Sequence, residues 1–156
     1  RFLNKTVTLY AMSDYQYNGL NKSGINVVEG SVGVGFPLIN TDTTTLSLSL
    51  GPALHWSEGG KGCSSDEYCG NTYAGGSFIT ALSWAPNQSF KFNIDNTLSA
   101  MAADEIKPTN IFSAAVKFFP SFDSGLFTSL KFVSTYNSMT TPESDNRITG
   151  QVGFEF

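Results

Sequence analysis

His55 is the only histidine in the chain, and it stands two residues before Ser57 and three before Glu58. An imidazole, a hydroxyl and a carboxylate so placed could supply the base, nucleophile and orienting acid of an acyl-transfer site. The same residues also fit a plainer role, an interior histidine hydrogen-bonded to a neighbour such as Glu29 or Ser57. Cys63 and Cys69 lie six apart in a stretch rich in Gly, Ser and acids, from Gly59 to Asn71. That spacing suits a short loop staple, and a disulfide there implies an oxidising compartment. Two free thiols or half of a metal site are the alternatives, but no histidine or further cysteine stands nearby to complete a metal shell. No metal and no other cofactor is expected.

Charge is scarce. Only 14% of the 156 residues are charged, against about 25% in an ordinary soluble domain, while the chain holds 13 Phe and 15 Gly. A formal net charge of −4, with no basic run, excludes nucleic acid as a partner, because phosphate binding needs a concentrated positive surface. The length allows one domain over residues 1–156. No stretch approaches the roughly 20 consecutive apolar residues of a membrane-spanning helix.

The elements that carry these residues follow from period-two alternation. Leu46, Leu48, Leu50, Pro52, Leu54 and Trp56 alternate with Thr45, Ser47, Ser49, Gly51, Ala53 and His55. Phe90, Phe92 and Ile94 alternate with Lys91, Asn93 and Asp95. Such alternation marks strands with one apolar and one polar face. Continued along the chain, it predicts eight strands near 4–17, 25–38, 44–56, 72–85, 89–101, 109–119, 126–138 and 146–156. Most are slightly longer than the 9 to 11 residues or so that a tilted strand needs to cross a bilayer. Tight turns (Asn40 to Thr43, Pro86 to Gln88, Pro120 to Gly125) alternate with longer polar loops at 18–24, 57–71, 102–108 and 139–145. Long and short links therefore fall at opposite ends of the sheet.

One strand face collects Glu29, Lys91, Asp95, Lys117, Lys131, Arg147 and Glu155, whereas the other holds Val32, Val34, Phe36, Leu50, Phe78, Trp84, Phe112, Val116 and Leu130. A soluble barrel would turn the apolar face inward and need many more charges outside. The pattern instead predicts an apolar face toward lipid and a polar interior. Eight strands leave an interior just filled by side chains, so its charges must pair. The lysines and Arg147 are the expected partners of Glu29, Asp95 and Glu155, as a plug or, alternatively, a narrow channel. Tyr15, Tyr17, Trp56, Tyr73 and Tyr136 near one end, and Phe36, Trp84, Phe90, Phe118, Phe154 and Phe156 near the other, suggest two aromatic girdles. The loop acids, among them Glu58, Asp66, Glu67, Glu143 and Asp145, read as a solvated crown.

The last residues, Gln151-Val152-Gly153-Phe154-Glu155-Phe156, resemble the terminal assembly signal of bacterial outer-membrane proteins, with Val152, Phe154 and Phe156 as its apolar positions. With eight strands over the whole chain, the protein resembles the small OmpA/OmpX-type class, an all-β, eight-stranded antiparallel up-and-down transmembrane β-barrel. That resemblance implies a Gram-negative outer membrane, periplasmic termini and extracellular loops at 18–24, 57–71, 102–108 and 139–145. A signal peptide or preceding domain would then lie outside these residues. The implied partners are outer-membrane lipid and lipopolysaccharide, the barrel-assembly machinery and other envelope proteins of a larger assembly. The implied role is a structural anchor or surface-recognition module. His55-Trp56-Ser57 also resembles the His-x-Ser element of the outer-membrane lipid A deacylases, which makes a lipid-modifying enzyme the alternative, although the element lies in the third strand with both side chains toward the interior.

Overall fold

A computed structural model describes residues 2–4, 7–18, 25–59, 70–103, 108–120, 125–137 and 143–155. It is all-β. A short strand, β1 (Phe2–Asn4), precedes eight long ones: β2 (Val7–Asn18), β3 (Ile25–Asn40), β4 (Thr44–Gly59), β5 (Thr72–Asn87), β6 (Phe90–Met101), β7 (Thr109–Phe118), β8 (Leu126–Tyr136) and β9 (Ser144–Phe154). Each pairs antiparallel with the next, in the order β1 to β9, as a single up-and-down sheet. The expected first strand near 4–17 corresponds to β2, and β1 lies ahead of it, paired antiparallel with its start. Several strands run further than the alternation predicts: β3 to Asn40, β4 to Gly59 and β5 through Pro86 to Asn87. Backbone pairing continues past the point where side chains stop alternating, and that is why these ends lie beyond the sequence pattern.

The turns are built from short polar side chains. Thr41 closes its own turn, with its Oγ1 donating to the Thr44 carbonyl at 3.1 Å and accepting from the Thr44 amide at 3.0 Å. The Asn87 Oδ1 accepts from the amides of Ser89 and Phe90 at 2.9 and 3.0 Å, an Asx turn that brings β6 back against β5.

The sheet curls with its polar face inside. Among the described residues only Val27, Ala53, Phe119 and Phe127 are buried apolar side chains, whereas Ser31, His55, Ser57, Ser77, Ser99, Thr109 and Asn137 are buried polar ones. Large apolar side chains stand outside and exposed, including Leu9, Val32, Leu50, Leu54, Phe78, Leu130, Ile148 and Val152. At the tight-turn end, Trp84 stacks on Phe92 with centroids 5.2 Å apart, and Phe90 meets Phe118 at 5.1 Å. Tyr15 and Tyr17 are exposed toward the opposite end. Tyr73 lies opposite His55 and so shares the inner face, which removes it from the outer girdle.

Closure is the point at which the sheet departs from the expected barrel. Among the described residues β9 has only β8 as a neighbour, and the far edge of β2 carries only β1, at Val7 and Thr8. Ser144 to Val152 are exposed on both faces of β9, the signature of an edge strand facing an open seam.

Two glycines shape the inner wall. Tyr10 of β2 reaches across β3 and β4 to bond the Ser77 Oγ of β5 at 2.7 Å. It passes directly over Gly33, where an added Cβ would lie 2.6 Å from the tyrosine ring and 2.2 Å from the Leu50 carbonyl oxygen. A Cβ at Gly51 would lie 2.0 Å from the Val32 carbonyl oxygen. Backbone cannot yield as a flexible side chain can. Gly33→Ala is therefore expected to destabilise the fold by about 1–3 kcal/mol through overpacking. Gly150→Ala, whose Cβ meets nothing within 4 Å, leaves the midpoint unchanged in the same denaturant titration.

Candidate functional site

The inner face of β3, β4 and β7 brings together the residues best suited to chemistry. Strand alternation puts Glu29 on the same face as Val27 and Ser31, and His55 with Ala53 and Ser57. The β3–β4 register sets Glu29 directly opposite His55. Nδ1 of His55 lies 3.0 Å from Oε1 of Glu29, so the imidazole N–H donates to the carboxylate there. From across the interior, Thr109 at the start of β7 donates its hydroxyl to the same oxygen at 3.2 Å. Glu29 thus ties two neighbouring strands to one that is remote from them.

This arrangement has the carboxylate and base of a triad but lacks the rest. Among the described residues Nε2 of His55 has no hydrogen-bond partner, and the side chain is only 1% exposed. Ser57 is buried two residues on, along the same strand face, roughly 6.6 Å away by strand rise; it is not a partner of the imidazole. Glu58 pairs with Asn26 on the opposite, outward face, so the orienting acid is Glu29. A nucleophile must reach Nε2, and a substrate must reach the nucleophile. Among the described residues neither condition is met. The geometry is that of a tie, with a buried imidazole held on one edge.

The remaining interior charges gather elsewhere. Glu155, just beyond β9, lies 2.8 Å from the Lys117 ammonium and 3.7 Å from that of Lys91. Lys117 also stands over the Phe127 ring at 4.5 Å, and Phe127 packs on Phe119 at 5.9 Å. The cluster borders an open pocket of about 360 Å³ at the tight-turn end, whose walls include Asp42, Asn87, Phe90, Lys91, Phe119 and Glu155. The hydrogen bond from Lys117, reinforced by the charges of Lys117 and Lys91, holds the Glu155 carboxyl below the usual carboxylate range.

Arg147 does not join the interior acids named as its partners; its Nε donates to Asp145 at 2.8 Å, on the same strand. Asp95 accepts from Ser113 at 3.4 Å rather than from a cation. Among the described residues Lys131 makes no ion pair. One inner acid escaped the sequence reading: Asp14, opposite Glu29 in the β2–β3 register, accepts from Gln16 at 2.8 Å. The signal was available, since Thr8, Tyr10, Met12, Asp14 and Gln16 alternate with Leu9, Ala11, Ser13, Tyr15 and Tyr17. Tyrosine on both faces and Met12 on the inner one obscure it. Val152 and Phe154 of the terminal motif point outward and are exposed, whereas Phe156, Cys63 and Cys69 lie outside the described residues. Among those residues no group of His, Cys, Asp and Glu could hold a metal ion, and no helix is long and apolar enough to cross a membrane.

The chain belongs to a family described as protein of unknown function, DUF481, which it matches over residues 1–156. No curated protein and no solved structure matches it.

Two outcomes are expected from this geometry. Glu29→Ala strands a buried imidazole and the Thr109 hydroxyl, and it should lower the unfolding free energy by about 1–3 kcal/mol. Glu29→Gln, which keeps an acceptor for both, should lose less in the same titration. For Glu155, whose carboxyl is depressed in the folded state, the stabilisation is fully present above its ordinary value near 4.5. It fades as pH falls through the lower folded value. Glu155→Gln should therefore differ from the parent chain at neutral pH and converge with it in acid, by a small amount because solvent screens the half-exposed pair.

Proposed function

We propose that this chain is an integral barrel of the bacterial outer membrane, of the OmpA/OmpX-type architecture, acting as an anchor that presents recognition loops, alone or as a subunit of an envelope assembly. One observation carries the reading: the polarity is inverted. Exposed Leu, Val, Ile and Phe side chains cover the outer face, and the groups withdrawn from solvent are mostly hydroxyls, an imidazole and an amide. A soluble fold loses stability by that distribution. A lipid-facing one gains it, at about 25 cal/mol per Å² of apolar surface removed from water.

The strands support it further. They run from 10 to 16 residues among β2 to β9, enough for a tilted crossing of the hydrocarbon core. The stacked aromatics at one end and Tyr15 and Tyr17 toward the other suit two interfacial belts. In this orientation the long links are extracellular, the turns at 41–43 and 88–89 are periplasmic, and lipopolysaccharide is the surrounding lipid.

Recognition falls to the loops because the interior is occupied. Tyr10 is bound to Ser77 across it, and Glu29 to both His55 and Thr109, which favours a plug over a conducting path. The burial of Nε2 opposes the deacylase-like reading for the same reason.

Flotation with lipopolysaccharide-containing vesicles tests the location. The folded chain should float with the vesicles and migrate faster in gels when unheated than when boiled. Leu50→Arg should weaken insertion by about 2–4 kcal/mol if this residue sits near the midplane. A chain that stays soluble and monomeric without detergent overturns the proposal. Acyl release from lipopolysaccharide that is abolished by His55→Ala would replace the anchor with an enzyme.

A further inference from the structure

The open seam between β2 and β9 has two edges that match. β2 runs from the tight-turn end to the loop end, and β9 runs back, so the two are antiparallel. A row of directly opposed residues can be followed around the whole sheet: Thr8, Gly35, Ser49, Ile79, Thr97, Ile111, Thr135, Asp145. It begins near the tight-turn end of β2 and finishes near the loop end of β9. The sheet therefore climbs by most of a strand length in one circuit, as the strands of a closing barrel must.

For eight strands tilted near 36°, that climb is about eight residues. Applied here, it brings Asp145 beside Gln16 and sets the free edges end to end, with Ser144 against Tyr17 and Val152 against Leu9. The outer face then pairs Val152 with Leu9 and Gly150 with Ala11. The inner face pairs Gln151 with Tyr10 and Arg147 with Asp14. Among the described residues β1 covers the β2 edge only at Val7 and Thr8, and none of them pairs with Leu9 to Tyr17 on that edge.

Charge makes the same assignment by an independent route. Asp14 and Glu29 face each other directly across β2 and β3, and like charges so placed repel. Among the described residues neither acid has a Lys or Arg within ion-pair distance. On the opposite side of the seam Arg147 is the most exposed of the paired cations among the described residues, at 73%, and among them holds only Asp145, two residues back on its own strand. Among the described residues, an acid row without a Lys or Arg stands across the gap from a cation with a local partner.

We propose that the free edge of β9 pairs with the free edge of β2 in the same chain, in the register that places Arg147 against Asp14. Arg147 then becomes the counter-ion of the Asp14 and Glu29 row, and the polar interior is sealed from lipid. The inference rests on the membrane reading, because an unpaired backbone edge is not tolerated in hydrocarbon.

Disulfide trapping tests it. In a chain with both native cysteines replaced by serine, Ala11→Cys is combined in turn with cysteine at Ile148, Gly150 or Val152, and the refolded protein is oxidised in lipid vesicles. The expected result is an intramolecular bond formed several-fold more efficiently at Gly150 than at either neighbour. Preference for Ile148 or Val152 overturns the register, intermolecular bonds assign the edges to a second copy, and the absence of any bond overturns closure. Charge exchange adds a check against misfolding. Asp14→Arg and Arg147→Asp should each reduce the fast-migrating unheated form, and the double exchange should restore it. Flotation of the same samples separates the two readings: a chain that floats but does not cross-link loses only the seam, and one that cross-links without floating loses only the membrane.

Discussion

Glu29 holds the interior from two directions. On one side it accepts from His55 of the adjacent strand, and on the other from Thr109, 80 positions away in sequence. Hydrogen bonds within a sheet fix the spacing of neighbouring strands but do not decide whether the sheet is flat or curled. A bond between β3 and β7 does decide it, because it can form only if the intervening strands arch over a common interior. The same carboxylate explains the burial of His55, since a buried polar group requires a partner. Remove the acceptor, and both the curl and the imidazole lose their reason.

Tyr10 repeats that logic one layer nearer the tight-turn end. Its ring would collide with any side chain at Gly33, so the absence of a Cβ there lets it lie flat along the wall as far as Ser77. Below it, Lys117 bridges Glu155 and the Phe127 ring. Three layers therefore fill the space with bonded groups: a carboxylate tie, a tyrosine span and a lysine cluster. These bonded groups account for a core in which, among the described residues, only a few apolar side chains are buried.

Much of this was legible in the alternation. Once Leu46 to Trp56 reads as a strand, parity assigns His55 and Ser57 to one face and Glu58 to the other, and it puts Glu29, Lys91, Lys117 and Glu155 on a common side. Parity says nothing about height along the strand, however, and partners are chosen by height. Arg147 could therefore be assigned to the interior while its bond to Asp145 stayed hidden, and Lys91 could be matched with several acids before Glu155 proved to share it with Lys117. Asp14 was missed because Tyr and Met beside it dilute the polar face. The open seam was invisible for a different reason, since strand patterning is the same whether the last edge is paired or free.

The division between belt, interior and loops limits where recognition can occur. The outer face is dominated by apolar side chains and carries only scattered polar ones, such as Thr80, Asn96, Ser134 and Asn146 in register with Leu48 and Phe112. Inside, several polar groups are committed to each other, although Ser31 Oγ and His55 Nε2 are buried without a partner among the described residues, and a ligand at Glu29 would have to replace its bond to Thr109 before gaining its own. Specific binding needs donors and acceptors that are free and reachable. Reachable polar groups lie where the strands end: at the pocket bordered by Lys91 and Glu155, and at the exposed loop end occupied by Tyr15, Tyr17, Glu58 and Glu143. Substitutions at these ends leave Glu29, Gly33 and Tyr10 undisturbed, and that independence would suit the sheet to the loop-presenting role proposed for it.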